Sequence, residues 1–87
     1  MGPDVITVDI AIHRDEWLRI YEGSARRVRG RARDGRSVVF PAGILQPYMD
    51  HEGVYGTFVI TYNHEGRFHS VHKIGDLPKN TPSTPLD

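Results

Sequence analysis

The chain has 87 residues, of which 38% are hydrophobic and 25% are charged, and it contains no cysteine. This length leaves room for one compact domain and not for two, and the lack of cysteine excludes a disulfide framework and a thiolate zinc site. The formal net charge at pH 7 is zero, which excludes a protein that is basic over its whole surface. Any electrostatic function therefore needs local segregation of charge.

The same composition bears on the cellular compartment. No apolar stretch approaches the ~20 residues that a membrane-spanning helix needs, and the N-terminus has no signal-like apolar segment. Together with the absence of cysteine, these features predict a cytoplasmic protein without membrane contact.

The first predicted elements are a strand and a helix. Residues 4–12 alternate between apolar and mixed positions, as a half-buried strand does, with one face formed by Ile6, Val8, Ile10 and Ile12. A short helix over residues 14–22 is expected next. Asp15 and Glu16 favour its N-terminal dipole, and Gly23 suits a left-handed C-cap.

A hairpin over residues 26–41 is predicted to contain the second and third strands, and its turn decides their register. A two-residue Asp-Gly loop would place the apolar residues of the third strand opposite arginines. A three-residue loop that ends at a left-handed Gly35 instead pairs Phe40 with Val28 and Val38 with Gly30. Because a slip of one residue turns every side chain over, the hydrophobic pattern favours the three-residue loop.

The rest of the chain is predicted as a helical turn, a second hairpin and a tail. Pro41 ends the third strand and starts a turn over residues 42–46. Strands are expected over residues 54–62 and 67–74, and a three-residue loop between them pairs Tyr62 with Phe68 and Ile60 with Ser70. Residues 75–87 are rich in proline and small polar residues, which predicts a disordered tail.

These elements predict an α+β fold for residues 1–74. The five antiparallel strands are expected to form one strongly twisted sheet, or a partly open SH3-like barrel, with one short helix between strands one and two. An open sheet covered by the helix is the alternative.

The arginines of the 26–36 hairpin are the most conspicuous chemical feature. Odd-numbered arginines share the outer face of the second strand and its extension, as a surface that follows phosphates requires; they are Arg27, Arg29, Arg31 and Arg33. The competing interpretation is a solvated face whose arginines pair with carboxylates, and the zero net charge favours it. Asp9, Asp15, Glu16 and Glu22 are the expected partners.

Outward-facing apolar residues form a second candidate surface. The predicted register makes Val59 and Val71 direct cross-strand partners, and Val39 and Tyr55 extend the set. A contiguous patch of this kind indicates an interface with another protein or another copy.

Metal binding and catalysis have little support. His69 and His72 are three residues apart on a strand, which sends them to opposite faces, and no nucleophile elbow or glycine-rich loop is present. We therefore expect neither a metal, a cofactor nor a catalytic residue.

Three stretches carry a resemblance: DEWLRIYEGSARRV, RDGRSVVFPAGILQPYM and GVYGTFVITYNHEGRFHSV. Over residues 4–74 the chain resembles a family of short proteobacterial proteins known only as a domain of unknown function. The resemblance implies a bacterial single-domain protein and no site residues.

The function most consistent with these observations is a non-catalytic module that interacts with another protein or with itself as a homodimer. The alternative is an RNA- or nucleotide-binding domain that uses the arginine face.

Overall fold

The computed structural model describes residues 4–87, so residues 1–3 of the predicted domain lie outside the described residues. In chain order the elements are β1 (Asp4–His13), α1 (Arg14–Glu22), β2 (Arg27–Arg31), β3 (Ser37–Pro41), a 3₁₀ helix (Ala42–Tyr48), β4 (Gly53–Tyr62) and β5 (Phe68–Gly75). The predicted order of elements and the α+β class are confirmed, and the bounds of α1 are those predicted.

The β2–β3 hairpin has the predicted register. Val28 lies opposite Phe40 and Gly30 lies opposite Val38, while Gly35 has a φ of 94°. This positive φ is accessible to glycine without strain. The turn therefore places the apolar residues of both strands on the inner face.

Helix α1 is capped at both ends. The His13 imidazole accepts a hydrogen bond from the Asp15 amide at 3.2 Å, and Gly23 ends the helix in the left-handed conformation with a φ of 82°. Trp17 is completely buried and anchors the helix to the core. Its indole N–H has no acceptor among residues 4–87.

The core lies between the inner faces of β1 and β4, the β2–β3 hairpin and the 3₁₀ helix. The largest of its fully buried side chains include Trp17, Phe40, Phe58, Ile10, Ile12 and Leu45. Tyr48, from the 3₁₀ helix, packs edge to face on Phe58 with ring centroids 5.2 Å apart. The 3₁₀ helix thus closes one side of the core, and it extends two residues beyond the predicted turn over residues 42–46.

The strands form two sheets, not the single five-stranded sheet or partly open barrel that was predicted. One sheet has the order β1-β4-β5 and the other contains β2 and β3. An isolated bridge between Val8 and Ala32 connects them, with an Arg33 amide donating to the Thr7 carbonyl at 2.9 Å. Beyond this point β1 and β2 diverge, and residues 84–87 lie between their edges.

The predicted register of β5 was wrong beyond its first pair. Tyr62 lies opposite Phe68 as expected, but a bulge follows, and Ile60 then lies opposite Val71 instead of Ser70. A bulge inserts one residue and turns the following side chains over. The inserted residue brings Val71 to the inner face, where it packs against the core, and burial of this valine is more favourable than burial of Ser70.

The predicted disordered tail also differs from the structure. After β5 the chain crosses the outer face of β4, where the Lys79 ammonium lies 4.6 Å from the ring centroid of Tyr55. Residues 84–87 then run between β1 and β2, and Leu86 packs against the core. Disorder of the tail was predicted from its composition. In the structure, the backbone of residues 84–87 is hydrogen-bonded to the edges of β1 and β2.

Candidate interaction surfaces

The predicted arginine face is only partly free. Arg29 pairs with Asp87 at 2.8 Å and Arg33 pairs with Asp9 at 3.1 Å. The Arg31 guanidinium donates to the Gly35 carbonyl, whereas no side-chain partner of Arg27 is found within residues 4–87. Of the four expected carboxylates, only Asp9 contacts this face.

Asp9 belongs to a polar cluster where the two sheets meet. The Thr57 hydroxyl donates to the Asp9 carboxylate at 2.6 Å, and the Arg33 guanidinium lies 3.1 Å from the same oxygen. The hydrogen bond from Thr57, followed by the bond and charge of Arg33, lowers the pKa of Asp9. Asp9 is therefore ionised at neutral pH and serves to fasten the hairpin to the sheet.

Asp87 plays a similar role for the tail. Its carboxylate accepts a hydrogen bond from Arg29, which lowers the pKa of the Asp87 side chain. The two side chains remain about half exposed, with 59% of Arg29 and 40% of Asp87 accessible. Solvent screens an exposed pair of this kind, so it orients the tail without holding it strongly.

The four residues of the predicted association patch do not form one surface. Val39 is exposed on β3, whereas Tyr55 is buried beneath Lys79. Val59 lies opposite His72 and is half-buried, and Val71 faces the core. The bulge in β5 separates Val59 from Val71, because it places these two side chains on opposite faces.

Other apolar side chains are exposed instead. On β5, Phe68 and Ile74 are 39% and 60% accessible, and on α1 Leu18 and Tyr21 are 50% and 60% accessible. Ile74 is the unpaired residue of a second bulge between β4 and β5. The edge of the β1-β4-β5 sheet therefore presents an apolar residue near each end of β5.

A groove between the diverging edges of β1 and β2 combines backbone hydrogen-bonding groups from two strands. Its β2 side offers the amides of Arg27 and Arg29, and its β1 side offers the amide and carbonyl of Ala11. The completely buried Val28 of β2 lies opposite Leu86. Residues 84–87 fill the groove, and beside them an open cleft of about 360 Å³ is lined by Asp9, Arg29, Gly30, Arg31, Ser37, Ser83, Thr84 and Pro85.

The groove between β1 and β2 was not predicted from the sequence. The signal that was available is one apolar residue, Leu86, between a proline and an acidic residue near the chain terminus. Such a pattern does not reveal which edges will accept the segment, because the edges are distant in sequence.

Within residues 4–87, no group of three or more histidines and carboxylates is arranged to hold a metal ion. His69 and His72 are both exposed on β5. Among the same residues, no helix is long and apolar enough to cross a bilayer.

The fold and its surfaces together define a small α+β domain built from a three-stranded and a two-stranded antiparallel sheet. The family described as "Protein of unknown function (DUF2835)" matches residues 4–74, and the chain belongs to this family. The chain matches no curated protein and no solved structure. The matched region ends before the tail, so the groove is built from the family domain and is filled by a segment outside it.

Proposed function

We propose that this protein is a non-catalytic, cytoplasmic protein-interaction module that forms a homodimer through the edge of β5. In this proposal two β5 strands from different copies pair antiparallel across a twofold axis. Twofold dimers are the commonest homo-oligomers, and an open strand edge is a template for pairing with another chain.

The observation that supports this proposal is the open side of β5. This strand ends the sheet order β1-β4-β5 and contains no proline over residues 68–75. An edge without proline can donate and accept ladder hydrogen bonds, although the Val71 carbonyl of β5 already accepts one from the Tyr48 hydroxyl at 3.1 Å. Phe68 and Ile74 are exposed on the same strand, so pairing would also remove apolar surface from water.

The alternative, an RNA- or nucleotide-binding domain, has less support. Its proposed surface contains Arg29 and Arg33, and both have carboxylate partners. Each phosphate contact by these residues would first have to break an ion pair, which reduces the gain from counterion release.

The mass of the protein in solution tests the proposal. We expect a mass of two chains by light scattering at about 100 μM, a concentration above the micromolar range of ordinary specific contacts. Ile74→Lys should shift the protein to one chain, because a charge on an edge strand opposes pairing. Leu18→Lys is the matched control, since it adds the same charge at an exposed apolar position on α1.

A wild-type mass of one chain at this concentration would refute the proposed dimer. If Ile74→Lys and Leu18→Lys change the mass equally, the interface does not lie at the edge of β5.

A further inference from the structure

We propose that the groove between β1 and β2 is a peptide-binding site, occupied in cis by residues 84–87. Its ligand in trans is an extended acidic segment of another polypeptide, with a threonine, an apolar residue two positions later, and an aspartate or glutamate immediately after that. This site is distinct from the β5 edge, and it can exist whether or not the protein dimerises there.

The backbone geometry of the occupant is that of strand addition. The Asp87 amide donates to the Arg27 carbonyl at 2.8 Å, and the Arg27 amide donates back to the Asp87 oxygen at 3.0 Å. The Arg29 amide donates to the Pro85 carbonyl at 2.9 Å, and Leu86 lies opposite Val28. An exposed strand edge recognises any extended peptide through such main-chain bonds, and side-chain pockets supply the specificity.

Three side chains of the occupant explain the ligand pattern. The Ala11 amide donates to the Thr84 hydroxyl at 2.9 Å, while the Thr84 amide donates to the Ala11 carbonyl at 2.8 Å. Leu86 packs against the core, and Asp87 accepts a hydrogen bond from Arg29. A hydroxyl, an apolar group and a carboxylate are thus each read by a different part of the groove.

The occupant is held less completely than a permanent strand. Pro85 has no N–H and cannot return a hydrogen bond to the Arg29 carbonyl, although the Arg29 amide bonds to Pro85. The ion pair of Asp87 is exposed, and solvent weakens an exposed pair. A competing segment with an ordinary residue in place of Pro85 can make every bond that residues 84–87 make and one more.

The position of the groove in the chain supports a role beyond packing. Every residue that lines its edges belongs to the region that the family matches, whereas residues 84–87 lie outside that region. Without these residues the amides of Arg26, Arg27, Arg29 and Ala11 would form an open edge. A sheet edge of this kind either is covered or binds another strand.

A labelled peptide of sequence Pro-Ser-Thr-Pro-Leu-Asp, corresponding to residues 82–87, tests the site by fluorescence anisotropy with the full chain. The protein variant Leu86→Asp should release the internal segment and bind this peptide at least about tenfold more tightly than the wild type, because internal occupancy reduces the apparent affinity. Leu77→Asp, the same change in the tail but outside the groove, should bind like the wild type. A peptide with aspartate in place of leucine should not bind to any of the three proteins.

The proposal is overturned if Leu86→Asp keeps the wild-type circular dichroism spectrum and binds the peptide no more tightly than the wild type. If that variant does not fold, Asp87→Lys decides, because it breaks the exposed ion pair and leaves the core intact. Asp87→Lys should tighten peptide binding by about threefold or more, because it removes the Arg29–Asp87 contact from the internal segment, and unchanged binding would overturn the proposal. Leu86 and Asp87 lie outside β5, so the result of this binding experiment does not decide whether the protein forms the β5-mediated dimer. The two proposals are therefore tested separately.

Discussion

The hydroxyl of Thr57 lies 2.6 Å from the carboxylate of Asp9 and donates a hydrogen bond to it. The two residues are direct partners across β1 and β4, and Arg33 reaches the same carboxylate from the turn between β2 and β3. This cluster connects the three-stranded sheet to the hairpin at the point where backbone pairing between the sheets is reduced to one bridge.

Thr57→Val should raise the pKa of Asp9 toward its ordinary value, because the hydrogen bond from Thr57 is the main cause of the lowered pKa. In the folded wild type, the stability that the ionised Asp9 contributes is complete above the unfolded pKa and is lost as the pH falls through the lowered folded pKa. A carboxyl NMR titration measures this shift. Thr61→Val, on the same strand, is the control and should leave the pKa of Asp9 unchanged; an unshifted pKa in Thr57→Val would contradict the prediction.

Leu86→Ala should lower the free energy of unfolding by about 1 kcal/mol, since roughly 0.8 kcal/mol is lost for each buried methylene and Leu86 is half-buried. For a domain of this size, 1 kcal/mol corresponds to about 4–8 °C in the midpoint of a thermal melt. Leu77→Ala, also half-buried in the tail, is the control and should change the midpoint less, because it has no place in the core cluster. A midpoint that Leu86→Ala leaves unchanged would show that residues 84–87 do not contribute to folding.

Gly53→Ala should be strongly destabilising, by about 3 kcal/mol or more. Gly53 has a φ of 123°, and a Cβ atom there would collide with the Ile12 carbonyl oxygen and lie 2.9 Å from the Arg14 nitrogen. Urea denaturation measures the loss. Gly43→Ala is the matched control, because a Cβ atom at Gly43 meets nothing within 4 Å, and this variant should be as stable as the wild type; equal stability of both variants would refute the steric argument.

Single-stranded RNA should bind the wild type weakly, with no binding detected near 0.15 M salt, where non-specific contacts are largely lost. Asp87→Asn should strengthen binding at low salt, because it frees the Arg29 guanidinium from its carboxylate partner. Asp50→Asn removes the same charge from a carboxylate without an arginine partner among residues 4–87, and it should have a smaller effect. Filter binding across a salt series separates these cases, and tight salt-dependent binding by the wild type would favour the nucleic-acid alternative.

Local features of the fold could be predicted from the sequence because their causes lie close together in the chain. The limits of α1 follow from the acidic first turn and from Gly23, and the register of β2 with β3 follows from Gly35 and the alternation around it. In each case, turn chemistry and hydrophobic period point to the same structure.

The register of β5 shows where local pattern reaches its limit. Strict alternation put Ser70 and His72 on the inner face, but the bulge after the Tyr62–Phe68 pair puts Val71 there. The choice between the two depends on how well Val71 fits the core formed by β1 and β4, and this fit is a property of the assembled sheet.

The candidate sites depended still more on tertiary structure. The sequence by itself determined that arginines would share one face of β2 and that the chain could hold a single domain. Asp9 was one of four carboxylates expected to pair with the arginines, and the tertiary structure decided that its partner is Arg33. Only the tertiary structure decided that Asp87 pairs with Arg29, and that residues 84–87 fill a groove whose edges lie more than 50 residues away in sequence. The physical reason is that a strand edge binds first through backbone groups that every residue carries, so the sequence does not show which distant edge a segment will pair with.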